Sequence, residues 1–142
     1  MYRRAVVEEV DPVSVRVRVR FPDADGMVSW WLEVMQKRSH GDRSYWLPDP
    51  GEAVAVLMDE RDEAGVVLGA IYSTADPPPV ASADKRHVTH RDGALFEYDR
   101  AAHRWVVAIP AGGRVEIRVG AGTSIVLDDA GVRVAGPRID LN

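Results

Sequence analysis

The chain alternates apolar and polar residues in short runs, with no segment at helical spacing. The longest run, Val13-Ser14-Val15-Arg16-Val17-Arg18-Val19-Arg20-Phe21, alternates without a break. Successive side chains of a strand point to opposite faces, so this pattern predicts a strand over 13–21 with one apolar face and one polar face. Pro22-Asp23-Ala24-Asp25-Gly26 supplies a turn, and Met27 to Met35 reads as a second strand or an irregular extended segment. A polar loop from Gln36 to Arg43 leads to Ser44-Tyr45-Trp46-Leu47 and the dense turn Pro48-Asp49-Pro50-Gly51. The apolar run Ala53 to Met58 is the next strand; Asp59 to Gly65 closes a hairpin loop, and Val66 to Tyr72 returns.

About five strands without a helix in roughly seventy residues predict a small closed β-barrel of the OB type, because closure removes exposed edges. Thr74 to Ser82, with Pro77-Pro78-Pro79, reads as a semi-rigid extended linker. The expected organisation is a barrel over residues 1–75, a linker over 76–85 and a distinct segment over 86–142. In that last segment turn signals recur about every ten residues: Asp92-Gly93, Ala101-Ala102, Gly112-Gly113, Gly120 to Gly122, Asp129 to Gly131 and Gly136-Pro137. Between them Val115 to Val119, Ile125 to Leu127 and Ile139 to Leu141 alternate like strands, and the spacing predicts a stacked β-solenoid. One stack this narrow has nothing to bury its apolar face against, so a symmetric assembly of several copies is expected. Val115, Ile117, Val119, Ile125, Leu127, Val132, Val134, Ile139 and Leu141 are the residues expected inside it.

At 142 residues the chain has room for one domain, or for a small barrel with an appendage. No apolar stretch approaches the length needed to span a bilayer, and no secretory signal pattern is found, so the expected product is soluble and made in the cytoplasm. There is no cysteine, which removes disulfides and thiolate metal sites. A net charge of −4 argues against a general nucleic-acid binder. Arg16, Arg18 and Arg20 read as a solvated or salt-bridged face.

No constellation points to catalysis, a cofactor or a metal. His87 and His90 are three apart and would face opposite ways on a strand, so they cannot chelate one ion. His103 reads as a surface or packed strand residue. Ser44 and Ser124 lack a nucleophile elbow, and Gly120-Ala121-Gly122 fits a glycine turn better than a dinucleotide loop. Asp23, Asp25 and Gly26 open like a calcium loop, but Met27, Ser29 and Trp31 fill the later ligand positions. The acidic run Asp59-Glu60-Arg61-Asp62-Glu63 reads as a solvated hairpin tip, with paired carboxylates for glycan cleavage as the rival. Trp30, Trp31 and Trp46 read as packing or subunit-interface anchors. The alternative function is a monomeric OB module that binds oligosaccharide or single-stranded nucleic acid through these three tryptophans.

Val17 to Gly26 followed by Ser29-Trp30-Trp31 resembles the first barrel motif of the phage baseplate assembly protein V family, the central spikes of contractile-tailed phages related to pyocin and type VI secretion spikes. The resemblance continues through Gly41 to Glu52, Gly65 to Ser73, the proline linker, Asp92 to Asp99 and Pro137 to Asn142. It implies an all-β chain: an OB barrel followed by a triple-stranded β-helix formed by three intertwined chains. It also implies a homotrimer that plugs the baseplate hub under the tail tube and is driven into the host envelope on sheath contraction. Such a chain is a structural virion component with no catalytic residue and no specific nucleic acid. Many members end in a His-x-His apex that holds iron, whereas no histidine follows His103 here. The departure implies that the shaft ends bluntly at Asn142 and is covered by a separate tip-capping protein.

Overall fold

The computed structural model describes residues 1–141 and divides into two compact units within the proline run, between Pro77 and Pro78. The first unit contains β1 (Tyr2–Asp11), β2 (Arg16–Phe21), a single 3-10 turn (Pro22–Ala24), β3 (Met27–Val28), β4 (Leu32–Val34), β5 (Ala53–Met58) and β6 (Gly65–Ala70). The sheet order is β1-β5-β6-β4-β2-β3, and β1 also pairs with β2, which closes a five-stranded barrel with β3 as a short addition beside β2. Every pairing is antiparallel except β4 with β6, which is parallel. This is the OB-type barrel expected from the strand pattern.

Alternation explains the core. Ala5 and Val7 of β1, Val17, Val19 and Phe21 of β2, Leu32, Val54, Val56, Met58 and Val67 all point inward and are buried. A fully buried side chain of this size stabilises by about 1.5–3 kcal/mol relative to exposure. The outward arginines of β2 are tied across to acids on both neighbouring strands: Arg16 to Glu33 at 3.5 Å, Arg18 to Glu9 at 2.9 Å and Arg20 to Glu8 at 3.2 Å.

Two boundaries depart from the pattern. The strand expected over 13–21 starts at Arg16, and the longest strand of the barrel, β1, lies before it. Val13 is 91% exposed and Val15 has φ of 57°, a left-handed conformation that a β-branched residue rarely adopts. A turn between β1 and β2 is needed there, and the Asp11 carboxylate organises it by accepting from the Val13 N–H at 3.0 Å and from the Ser14 hydroxyl. Met27 to Met35 is broken into β3 and β4 at Ser29. The buried Ser29 hydroxyl accepts the Val19 N–H at 3.0 Å and donates to the Trp30 carbonyl at 2.7 Å, which satisfies the backbone where the ladder is interrupted.

The second unit contains β7 (Lys85–Thr89), β8 (Leu95–Asp99), β9 (Arg104–Ala108), β10 (Arg114–Val119), β11 (Thr123–Asp128) and β12 (Gly131–Ala135). The chain reverses at the expected turns, but its strands do not stack as a solenoid within one chain. They form two separate three-stranded antiparallel meanders, β7-β8-β9 and β10-β11-β12. Short turns favour pairing with the next strand in sequence, which explains the meanders. No strand forms over the expected Ile139 to Leu141; Pro137, which has no N–H to give to a ladder, lies two residues after β12. Asn142, the expected distal end, lies outside the described residues.

Candidate assembly surfaces

Register defines the faces of the second unit, because residues directly paired across antiparallel strands share a face. In β10-β11-β12 the rows are Val115, Leu127 and Val132, then Ile117, Ile125 and Val134, with Val119 opposite Thr123. One face is therefore almost wholly aliphatic. It is also uncovered: Ile117 is 59% and Val134 52% exposed. The other face carries Arg114, Glu116, Arg118, Asp128 and Arg133. Arg114 lies 3.1 Å from Glu116 and 3.6 Å from Asp128, Arg133 lies 3.3 Å from Asp128, and Arg118 also pairs with Glu116. The two arginines hold the Glu116 carboxyl below its usual range. The charged face is thus satisfied within one chain and the apolar face is not.

The meander β7-β8-β9 repeats this asymmetry with aromatic residues. Val88, Phe96 and Val107 form one row, and Arg86, Tyr98 and Trp105 the next. Trp105 is 57% exposed, with its ring centroid 4.8 Å from Phe96 and 4.9 Å from Tyr98. On the opposite face Glu97 is only 6% exposed. His87 Nδ1 donates to Glu97 at 2.7 Å, Lys85 Nζ donates at 3.1 Å, and His87 Nε2 contacts the Thr89 hydroxyl. These bonds, that of His87 first, hold the Glu97 carboxyl below its usual range. Strand pairing thus brings together a buried polar network that the sequence reading missed, since its members lie ten and twelve positions apart.

His87 belongs to this network, whereas His90 lies one residue beyond β7, in the turn where its N–H donates to the Ala94 carbonyl at 2.8 Å. His103 is a turn residue with φ of 51°, not a strand residue. Ser44 exchanges hydrogen bonds with Arg38, and Ser124 sits on the polar side of β11. Gly120 to Gly122 form the turn between β10 and β11. Asp23 and Asp62, from the two acidic segments, converge on a residue the pattern did not single out. Buried Arg3 lies 2.8 Å from Asp23 and 3.3 Å from Asp62, with its guanidinium 3.9 Å above the Phe21 ring. Asp59 accepts the Glu63 N–H at 2.9 Å, which caps the loop. Trp30 is exposed and Trp31 half-buried in the break between β3 and β4, whereas Trp46 lies at the base of the 36–46 loop.

The first unit is thus an OB barrel whose basic stripe is neutralised by its own acids, and the second a pair of meanders whose apolar faces are exposed. Residues 3–72, nearly the whole barrel, match the family described as the type VI secretion system/phage-baseplate injector OB domain. The chain is also 38% identical over 101 residues to the spike protein of Escherichia phage P2, across 70% of this chain and 46% of that relative. That match is longer than the barrel and so reaches into the second unit. The chain belongs to the phage baseplate V family, as its motifs imply. It spans about half the length of the curated relative it matches.

Proposed function

We propose that this chain is the central spike of a contractile-tail baseplate or a related injection machine and that it works as a homotrimer. The observation that carries the proposal is the aliphatic face of β10-β11-β12, uncovered in one chain while its charged face is fully paired. Three copies bury these faces against one another, and the meanders of each chain contribute to a shaft of three intertwined chains. The trimer plugs the baseplate hub beneath the tail tube and enters the host envelope when the sheath contracts. Its work is mechanical, with no catalytic residue, metal or cofactor of its own. The phage P2 relative is itself a spike protein, which supports the same assignment. A monomeric oligosaccharide- or nucleic-acid-binding barrel is the weaker reading, because Arg16, Arg18 and Arg20 are each engaged by a carboxylate.

Light scattering on the purified chain tests this reading. The expected mass is three times that of the 15.6 kDa chain, without any ligand. Ile117→Asp places a carboxylate in the apolar face of each copy, and burial of an unpaired charge is strongly unfavourable. The variant is expected to be monomeric. A monomeric wild type, or an Ile117→Asp trimer of unchanged melting temperature, overturns the proposal.

A further inference from the structure

The barrel and the meander β10-β11-β12 differ in what holds them. Of the eleven apolar side chains buried among the described residues, ten lie in the first unit, from Ala5 to Val67, and the eleventh is Ala94. No residue of β10, β11 or β12 is buried. Ordering the backbone costs conformational entropy at every residue, and in small sheets the packing of an apolar face is what offsets it. The barrel has that packing within one chain. The meander β10-β11-β12 has backbone pairing, which only exchanges hydrogen bonds to water for hydrogen bonds to protein, and ion pairs of exposed arginines, which solvent screens. The meander β7-β8-β9 stands between the two, with its buried Glu97 and the ring contacts of Trp105.

The turns of β10-β11-β12 are nevertheless well specified. Gly120 at φ 57° and Gly131 at φ 123° take up the two reversals in the left-handed region that glycine adopts freely. The Asp128 carboxylate accepts the Ala130 N–H at 3.0 Å, and the Asp129 carboxylate accepts the Gly112 N–H at 2.6 Å, which joins two turns at one end of the meander. Register is therefore written locally, whereas the free energy that would hold it is not. The rows Val115-Leu127-Val132, Ile117-Ile125-Val134 and Val119-Thr123 carry no charge, so whatever covers them must be equally apolar. Each further copy of this chain brings such a face.

We propose that residues 114–135 fold only when copies of this chain associate, whereas the barrel folds in each chain beforehand. Copies as the partner rest on the trimer reading above; the unequal burial rests on the fold of one chain. A free chain then carries a finished barrel and an unformed 114–135 segment, so a single copy cannot present a completed shaft. Local antiparallel pairing and preset turns let the segment form rapidly once copies meet.

Hydrogen–deuterium exchange of the full chain, read by mass spectrometry, tests this order. In the wild-type trimer, amides of the barrel and of 114–135 are both expected to be protected. In Ile117→Asp, barrel protection is expected to be unchanged and exchange over 114–135 to be at least roughly a hundredfold faster, as in a segment that opens freely. Ile117 is 59% exposed in one chain, so the substitution has little to disturb in a meander that folds by itself. Dilution of the wild type gives the same readout without a substitution: protection over 114–135 is expected to fall in step with the trimer mass while barrel protection stays. A monomer, reached by variant or by dilution, that keeps 114–135 protected overturns this inference and leaves the trimer reading standing. Loss of barrel protection together with that of 114–135 overturns the order of folding. A wild type that is monomeric at every concentration overturns the trimer reading and this inference with it.

Discussion

Arg3 occupies an inward position of β1, beside the apolar Ala5 and Val7. It is tolerated because its demands are met: its guanidinium lies over the Phe21 ring, and its N–H groups reach Asp23 and Asp62 on two different loops. Arg3→Ala is expected to destabilise the barrel by about 1–3 kcal/mol, through lost packing and lost loop clasping together. Arg3→Lys recovers only part of this, because an ammonium cannot present a planar fork to two carboxylates. Urea unfolding followed by circular dichroism measures both, and an Arg3→Lys midpoint equal to wild type would show that the fork is irrelevant.

Glu97 makes a different prediction. Its carboxyl titrates below the ordinary value of 4.5, so the folded state favours the charged form more than the unfolded chain does. That stabilisation is complete above the ordinary carboxylate value and is lost as the pH falls through the lower folded value. Glu97→Gln is therefore expected to lower stability at neutral pH and to flatten the acid limb of the stability curve. Urea midpoints measured across acid pH check this; parallel curves for the two proteins would remove Glu97 from the acid response.

The β5–β6 hairpin shows how an element depends on a single small residue. A Cβ built on Gly65 would lie 2.6 Å from the Leu57 carbonyl oxygen and 2.5 Å from the Met58 sulfur. The methionine side chain can move, but the paired backbone of β5 cannot move without opening the barrel. Gly65→Ala is expected to cost about 1–3 kcal/mol by overpacking. A urea midpoint within error of wild type would show that β5 and β6 shift apart freely. By contrast, the meander β10-β11-β12 is held mainly by backbone pairing and by ion pairs of exposed arginines, which contribute about 0–1 kcal/mol each. Its apolar face is left exposed in one chain.

For the assembled protein, this balance of forces predicts the response to salt. Exposed ion pairs are screened within a few ångströms at about 1 M salt, whereas apolar burial is not. The trimer proposed above is therefore expected to keep its mass in about 1 M sodium chloride. Dissociation at high salt would mean that ionic contacts, such as those of Arg114 and Arg133, join the copies instead of Ile117, Ile125 and Val134.

Much of the barrel was readable from the chain alone. The alternation over Val17 to Phe21, the apolar run Ala53 to Met58 and the return at Val66 each report which side chains share a face, and a strand has only two faces. The absence of helical spacing and the loss of edges on closure then favour a barrel. The turn signals after Asp92 likewise marked where the chain reverses, since glycine and aspartate act locally. What the sequence did not carry was everything decided by residues far apart. β1 was hidden because Arg3, Glu8 and Glu9 interrupt its pattern, and only closure against β2 and β5 makes that segment a strand. Val15 became a turn residue because that closure fixes where β1 and β2 must reverse. The networks at Arg3 and Glu97 depend on partners between ten and fifty-nine positions away, and the meanders' uncovered faces depend on register. Periodicity records the direction of a side chain; only tertiary pairing determines what that side chain meets.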